Sequence, residues 1–284
     1  HPVVWTLHDC WAFTGHCCHF EHERCFKWRT ECYDCPNKRK YPSSLIIDRS
    51  KHNFEEKKYW FTLLNNLTII PVSEWLENHV KESFLSKYTS KTINNGIDCD
   101  VFQPKNSRQE IFHKYNIKAN YLVIGVAGVW DERKGFKDFI KLRKELSDEY
   151  AIIVVGVNKQ QQSSLSQGMV GIERTEDIYS AADVLFNPTT EDSLPTVNLE
   201  SQSCGTPVVC YNTGGCPETI LNKETGYIIT KEDISEAVEY INLICNNSKT
   251  KYIDKCRQYI TNNFMREERY KDYMDIYKEV IGIR

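Results

Sequence analysis

Short apolar runs alternate with amphipathic stretches along most of this chain. Runs at 121–127, 151–157, 184–187, 207–211 and 227–230 read as buried strands. Between them, 136–147, 175–182, 195–204 and 234–245 carry apolar residues at helical spacing. Buried strands alternating with amphipathic helices predict βαβ units and a parallel sheet covered on both faces. Such a sheet binds ligands beyond the carboxyl ends of its strands.

The first hundred residues show a second α/β pattern. A strand is predicted at 3–7, then a cysteine-rich excursion, a helix near 54–64 and a strand at 67–71. The helix after Ser73 carries Trp75, Leu76, His79, Val80 and Phe84 on one stripe, with Ser73 as its N-cap. A further strand is predicted at 92–97, and Phe102-Gln103-Pro104 reads as a linker. Near the end, after 252–264, a helix at 266–280 has Tyr270, Tyr273, Met274, Tyr277 and Val280 in register.

Composition narrows the class. With 284 residues, 40% hydrophobic and 26% charged, the chain fits a soluble globular protein of about two domains. A net charge of -3 supplies no field for sequence-independent nucleic-acid binding. The longest apolar stretches, 121–130 and 151–157, fall short of the ~20 residues a membrane-spanning helix needs. No signal-peptide pattern follows His1, and a strand opening at once predicts missing upstream sequence.

Six of the twelve cysteines lie between Cys10 and Cys35. Cys32-Tyr33-Asp34-Cys35 has the spacing of a half-site for tetrahedral zinc, and Cys17 and Cys25 complete a four-thiolate set, with His16, His19 and His22 as substitutes. Two disulfides and plain free thiols are the rival readings. All three stay open on the spacing.

Three segments could carry chemistry. In the stretch from Asn187 to Gly205, a helix is predicted to start near Leu194 with Pro195 in its first turn, closed by Gly205. The N–H groups near Leu194, Thr196 and Val197 would form an anion site, and Glu200 further along could accept sugar hydroxyls. The bland alternative is a capped helix with a solvated Glu. The second segment, Gly125 to Phe136, leaves a strand through Gly128 into a turn with Arg133, Lys134 and Gly135. Arg can grip phosphate oxygens bidentately and Lys adds a point charge, although a solvated basic turn would look the same. The third is His8-Asp9 at the end of the first strand, a candidate polar catalytic pair.

These segments, in this order, resemble family-4 glycosyltransferases of the GT-B type, in particular the bacterial subgroup building capsule, exopolysaccharide or O-antigen, which includes colanic-acid-type enzymes. The resemblance rests on Trp5 to Gly15, the cysteine stretch ending Cys35-Pro36, Asn95-Gly96-Ile97-Asp98 with Phe102 and Pro104, and Arg133-Lys134-Gly135. It rests further on Tyr179 to Asp183, Asp192 to Glu200, Cys204 to Val209 and Gly214-Gly215 with Pro217-Glu218. It covers nearly the whole chain.

The resemblance implies two Rossmann-like doubly wound parallel-sheet domains, the N-terminal one incomplete here. The expected divisions are 1–104 with the cysteine-rich insert 16–36, 105–265 binding the nucleotide sugar, and 266–284 crossing back to the N-terminal domain. It implies retaining transfer of a sugar from a UDP- or GDP-sugar to an acceptor hydroxyl, with no metal needed for catalysis. His8 and Asp192 would act at the transfer centre, Asp192 standing where the family has Glu. Glu200 would hold the donor ribose, Arg133 and Lys134 the diphosphate, and the backbone at Ile172–Arg174 the base. A saccharide or lipid-linked saccharide is the implied acceptor. The implied location is the cytoplasm, with peripheral contact at the inner face of the plasma membrane. Family members carry a further βα half before the His-Asp strand, so this chain alone is expected to bind nucleotide weakly and to turn over slowly or not at all. A non-catalytic sugar-nucleotide-binding or zinc-stabilised scaffold and a GT-B-like epimerase are the alternatives.

Overall fold

The computed structural model describes residues 1–44, 46–172 and 177–282. Along the chain the elements run β1 (Val3–Leu7), α1 (Ser50–Thr62), β2 (Leu67–Pro71), α2 (Glu74–Glu82), β3 (Thr89–Ser90), α3 (Arg108–Lys114), β4 (Tyr121–Val126), α4 (Phe136–Glu145), β5 (Tyr150–Val155) and α5 (Lys159–Ser163). They continue with β6 (Met169–Ile172), α6 (Ile178–Ala181), β7 (Val184–Asn187), α7 (Thr196–Ser203), β8 (Val208–Tyr211), β9 (Gly226–Ile229), α8 (Ile234–Asn246), α9 (Thr250–Asn263) and α10 (Arg266–Ile281). Single 3-10 turns occupy Lys27–Arg29, Glu132–Lys134 and Cys216–Thr219.

The chain divides into two compact units. The first comprises His1–Asn95, Glu191–Leu194 and Glu267–Arg284; the second comprises Gly96–Thr190 and Pro195–Arg266. The second unit therefore begins at Gly96 rather than at 105. The reason is local packing: Ile97 bridges Met265, Ile97 and Cys99 pack with Leu199, Ile260 and Phe264, and Arg257 donates to the carbonyls of Cys99 and Phe102.

In the second unit, six parallel strands lie in the order β6-β5-β4-β7-β8-β9. Successive residues of β4 and β5 enter opposite cores. Val123, Ile152 and Val154 join one; Leu122, Ile124, Ile153 and Val155 join the other. Helices α4 and α8 cover the first face through Phe139, Leu142, Ile241 and Ile244, while α3 and α6 supply Ile111, Ile178 and Tyr179 to the second. Burial on both faces is why these strands read as unbroken apolar runs instead of alternating ones. The direction of winding reverses between β4 and β7, which makes the gap beyond their carboxyl ends the switch point.

The first unit holds a parallel sheet in the order β1-β2-β3, with Val3 opposite Leu67 and Leu7 opposite Pro71. Its main core gathers Phe13, Phe20, Trp28, Phe54, Ile69, Leu76 and Leu194. Ser73 caps α2 by accepting from the Leu76 N–H at 3.1 Å, as its position predicted. On α10, Ile276, Tyr273 and Val280 pack with Ile70, Ile93 and Val4, and the Thr6 hydroxyl donates to Tyr273 Oη at 3.2 Å.

Two expectations change. The strand expected at 92–97 is only Thr89–Ser90; the Lys91 and Ile93 amides still donate to the Ile69 and Pro71 carbonyls, and the run then leaves the sheet edge, the Asn94 side chain donating to the Val72 carbonyl and Ile97 turning to Phe264. A strand at Met169–Ile172 was not expected. It is short and interrupted by Gly171, where a Cβ would stand 2.7 Å from the Val157 side chain.

Candidate functional site

The chemistry of the second unit gathers where β4 and β7 end. Leaving β4, the chain passes Gly128, around which there is open space, and is then anchored. The Trp130 indole N–H donates to the Val155 carbonyl at 2.8 Å, and the Gln161 amide to the Trp130 carbonyl at 2.8 Å. Asp131 caps the turn Glu132–Lys134, accepting from the Lys134 N–H at 3.2 Å and from Arg133 Nε at 2.9 Å. Gly135 closes the turn with φ 75°, where a Cβ would stand 2.2 Å from the Pro188 carbonyl oxygen. Only glycine satisfies both the left-handed backbone and the close approach.

That approach joins the two constellations. The Arg133 carbonyl accepts the Thr190 N–H at 2.7 Å and the Thr189 and Thr190 hydroxyls at 3.3 and 3.1 Å. Thr190 presents its own carbonyl to the Thr213 hydroxyl at 2.9 Å and to Lys231 Nζ at 3.1 Å. At the end of β7, Asn187 Nδ2 donates to Asn198 Oδ1 at 2.8 Å, and Asn198 Nδ2 donates to Thr219 Oγ1 at 2.9 Å. These buried amides fix the first turns of α7 at the same end of the sheet as the Arg133-Lys134 turn. The two constellations share one side of the switch point.

Helix α7 begins later than predicted. Pro195 is its N-cap, with extended backbone at φ -71° and ψ 107°, and no side chain caps the helix. The amides of Thr196 and Val197 therefore sit at an end without a capping side chain, where partial positive charge accumulates. Leu194 does not belong to that group. Its N–H donates to Asp192 Oδ1 at 3.3 Å and its side chain is buried in the core of the first unit. The extended Pro195 keeps residues before it out of the helix.

Glu200 lies one turn beyond Thr196, whose side chain also bonds its carboxylate. The Tyr179 hydroxyl donates to Glu200 Oε2 at 2.6 Å. Burial pushes the Glu200 carboxyl above its usual range, and the hydrogen bonds from Tyr179 and Thr196 oppose that rise. Glu200, Tyr179, Phe102, Lys105, Asp177 and Cys204 line a cavity of about 520 Å³. Tyr179 is the neighbour that spacing could not reveal, because it meets Glu200 from a different helix, 21 residues away in sequence.

The remaining expected residues distribute as follows. Ile172 ends β6, buried, with its carbonyl accepting the Gly156 N–H at 2.7 Å; Arg174 lies outside the described residues. His8 is exposed at the carboxyl end of β1, and it and Asp192 both belong to the first unit.

The loop after β1 is tied inward. Lys57 donates to the carbonyls of Trp11 and Thr14 at 2.7 and 2.9 Å and stands 3.4 Å from the centre of the Trp11 ring. Burial brings the Lys57 ammonium down to about 8. Cys17, Cys25, Cys32 and Cys35 line one small cavity with His16. The four-thiolate zinc site is not supported: among the described residues no group of three or more His, Cys, Asp or Glu is placed to hold a metal ion. The physical reason lies in their existing partners. Cys17 and Cys35 are hydrogen-bonded to each other, and Cys32 Sγ accepts the Gly15 N–H at 3.2 Å. The bond to Cys35, reinforced by burial, pushes the Cys17 thiol far up and the same bond lowers Cys35, while burial pushes Cys32 up to about 11. All twelve cysteines are free thiols.

Known proteins are similar to most of this chain. The family model described as glycosyl transferases group 1 matches residues 107–264. The capsular polysaccharide biosynthesis glycosyltransferase CapM of Staphylococcus aureus is 28% identical over 200 residues, 63% of this chain and 52% of that protein. A putative colanic acid biosynthesis glycosyl transferase, WcaC of Escherichia coli (strain K12), is 25% identical over 256 residues, 84% of this chain and 58% of that protein. Among solved structures, Anabaena Alr3699/HepE in complex with UDP superposes with a TM-score of 0.74 at 16% identity, over 98% of this chain and 72% of that one. This chain spans only 52% and 58% of the length of those two curated relatives.

Proposed function

Because the chain belongs to the glycosyl transferases group 1 family, we propose that it carries the donor-binding part of a retaining glycosyltransferase. The enzyme would move a sugar from a nucleotide diphosphate sugar to an acceptor hydroxyl during surface-polysaccharide synthesis. The observation that carries this reading is the hydrogen bond from the Thr190 N–H to the Arg133 carbonyl. It holds the cationic turn beside the strand exit that Asn187 and Asn198 link to α7. A diphosphate in that gap would meet Arg133 and Lys134 on one side and the Thr196 and Val197 amides on the other. Leaving-group charge would be stabilised by groups already in place, which costs little reorganisation during the reaction. Glu200 would accept the pentose hydroxyls, the backbone near Ile172 would border the base, and His8 and Asp192 would serve the sugar.

The capsule and colanic-acid relatives favour a saccharide or lipid-linked saccharide acceptor. Among the described residues no helix is long and apolar enough to cross a membrane. Peripheral contact is favoured by the exposed Tyr41, Ile46 and Ile47 amid Lys38, Arg39 and Arg49.

Calorimetric titration with UDP and GDP tests the donor reading. Saturable binding weakened at least tenfold by Lys134→Ala is expected; binding indifferent to Lys134 would overturn it.

A further inference from the structure

Glu200 is held by a neighbour built more rigidly than itself. Tyr179 is 3% exposed and belongs to the core that includes Ile111, Ile178 and Leu185. Its ring lies edge-on to Phe102 with centroids 6.1 Å apart, and its backbone carbonyl accepts the Thr206 hydroxyl. With ring and backbone both fixed, the phenol cannot follow the carboxylate; the carboxylate must take the orientation the phenol allows. An ionised carboxylate offers about four acceptor positions. Tyr179 and Thr196 use two, which leaves about two, the number a vicinal diol requires.

We propose that Tyr179 is a positioning residue: its hydroxyl orients the Glu200 carboxylate so that the unused acceptor positions face the pentose of a nucleoside diphosphate. This rests on the reading that Glu200 holds that pentose. Tyr179 touches Glu200 and acts through it. Among the described residues, the other ionisable groups lining the cavity are Lys105 and Asp177, paired at 2.6 Å, and the Cys204 thiol, which burial pushes up to about 11. The ion pair largely cancels itself, and a protonated thiol adds no charge. Donation from Tyr179 and Thr196 is therefore what favours the ionised form against burial.

The test titrates the 284-residue chain with UDP and GDP between pH 5.5 and 8.5, as the native protein, Tyr179→Phe, Glu200→Gln and the double variant. In parallel, ¹³C NMR follows the Glu200 carboxyl titration without ligand. Tyr179→Phe should weaken binding about tenfold at pH 7, as expected for loss of a hydrogen bond to a charged group. It should raise the Glu200 midpoint. The double variant should bind no worse than Glu200→Gln. Site-specific 3-fluorotyrosine at position 179, a stronger donor, should lower the midpoint, and it covers the case where the Phe variant does not fold. An unmoved Glu200 midpoint, or losses that add in full in the double variant, overturns the positioning role. Native affinity in Glu200→Gln overturns the pentose reading instead, while the midpoint still decides the Tyr179–Glu200 coupling.

Discussion

The loops leaving β1 and β4 begin alike, each at the carboxyl end of a parallel strand, and are held by different means. After β1 the polar groups turn inward. Lys57 is bound by two carbonyls and a ring, and the cysteines bond one another or a backbone amide. After β4 side chains and backbone share the anchoring, with Trp130, Gln161 and Asp131 fixing the start of the turn. The Arg133 carbonyl, the Thr190 N–H and a glycine at van der Waals limit hold the turn. The first loop closes around one buried ammonium; the second is tied through its main chain to the neighbouring strand exit, which sets the cationic turn beside the start of α7.

That contrast breaks most sharply at Gly135. Gly135→Val places a Cβ against the Pro188 oxygen in left-handed backbone, which should cost about 3 kcal/mol or more. Thermal unfolding should fall by several degrees and UDP binding should vanish with it. Unchanged binding would show that the turn does not need its anchor.

Lys57→Met tests the opposite region. Two carbonyls lose a charged donor, a loss of about 2 kcal/mol, while UDP affinity should stay native. Because the folded Lys57 titrates at about 8, below its unfolded value of 10.5, the unfolded chain holds the extra proton between those values. The contribution of this site to stability therefore rises with pH across that window. In the Met variant that component of the unfolding profile should disappear.

Glu200→Gln should move stability and binding in opposite directions. The folded Glu200 carboxyl lies above 4.5, so its ionisation destabilises the fold as pH rises through the folded value. The variant should unfold at a slightly higher temperature at pH 7 yet bind UDP about tenfold more weakly. A variant that loses stability would mean the carboxylate is structural. The smallest effect is expected from Lys105→Ala, which removes an exposed ion pair with Asp177 and should leave the unfolding midpoint unchanged. A change in UDP affinity there would extend the site to that end of the cavity.

Much of the second unit was legible because its strands are buried on both faces and its helices on one, so periodicity reports burial directly. The Arg133-Lys134-Gly135 turn and the Thr196–Glu200 helix could be picked out from residue type and position alone. Three things could not. The start of α7 moved to Thr196 because Asp192 takes the Leu194 amide. The edge strand β6 is too short to show a period. The zinc spacing of Cys32 and Cys35 was met by thiols that had found other partners.

Sequence alone determined the alternation of strands and helices, the cationic turn, and the acid carried by the helix after β7, because each depends on neighbours within a few residues. Tertiary structure alone decided that the Arg133 carbonyl meets Thr190 and that Tyr179 meets Glu200. Those contacts join residues 57 and 21 positions apart, and their distances follow from strand order and helix packing, which no local pattern encodes.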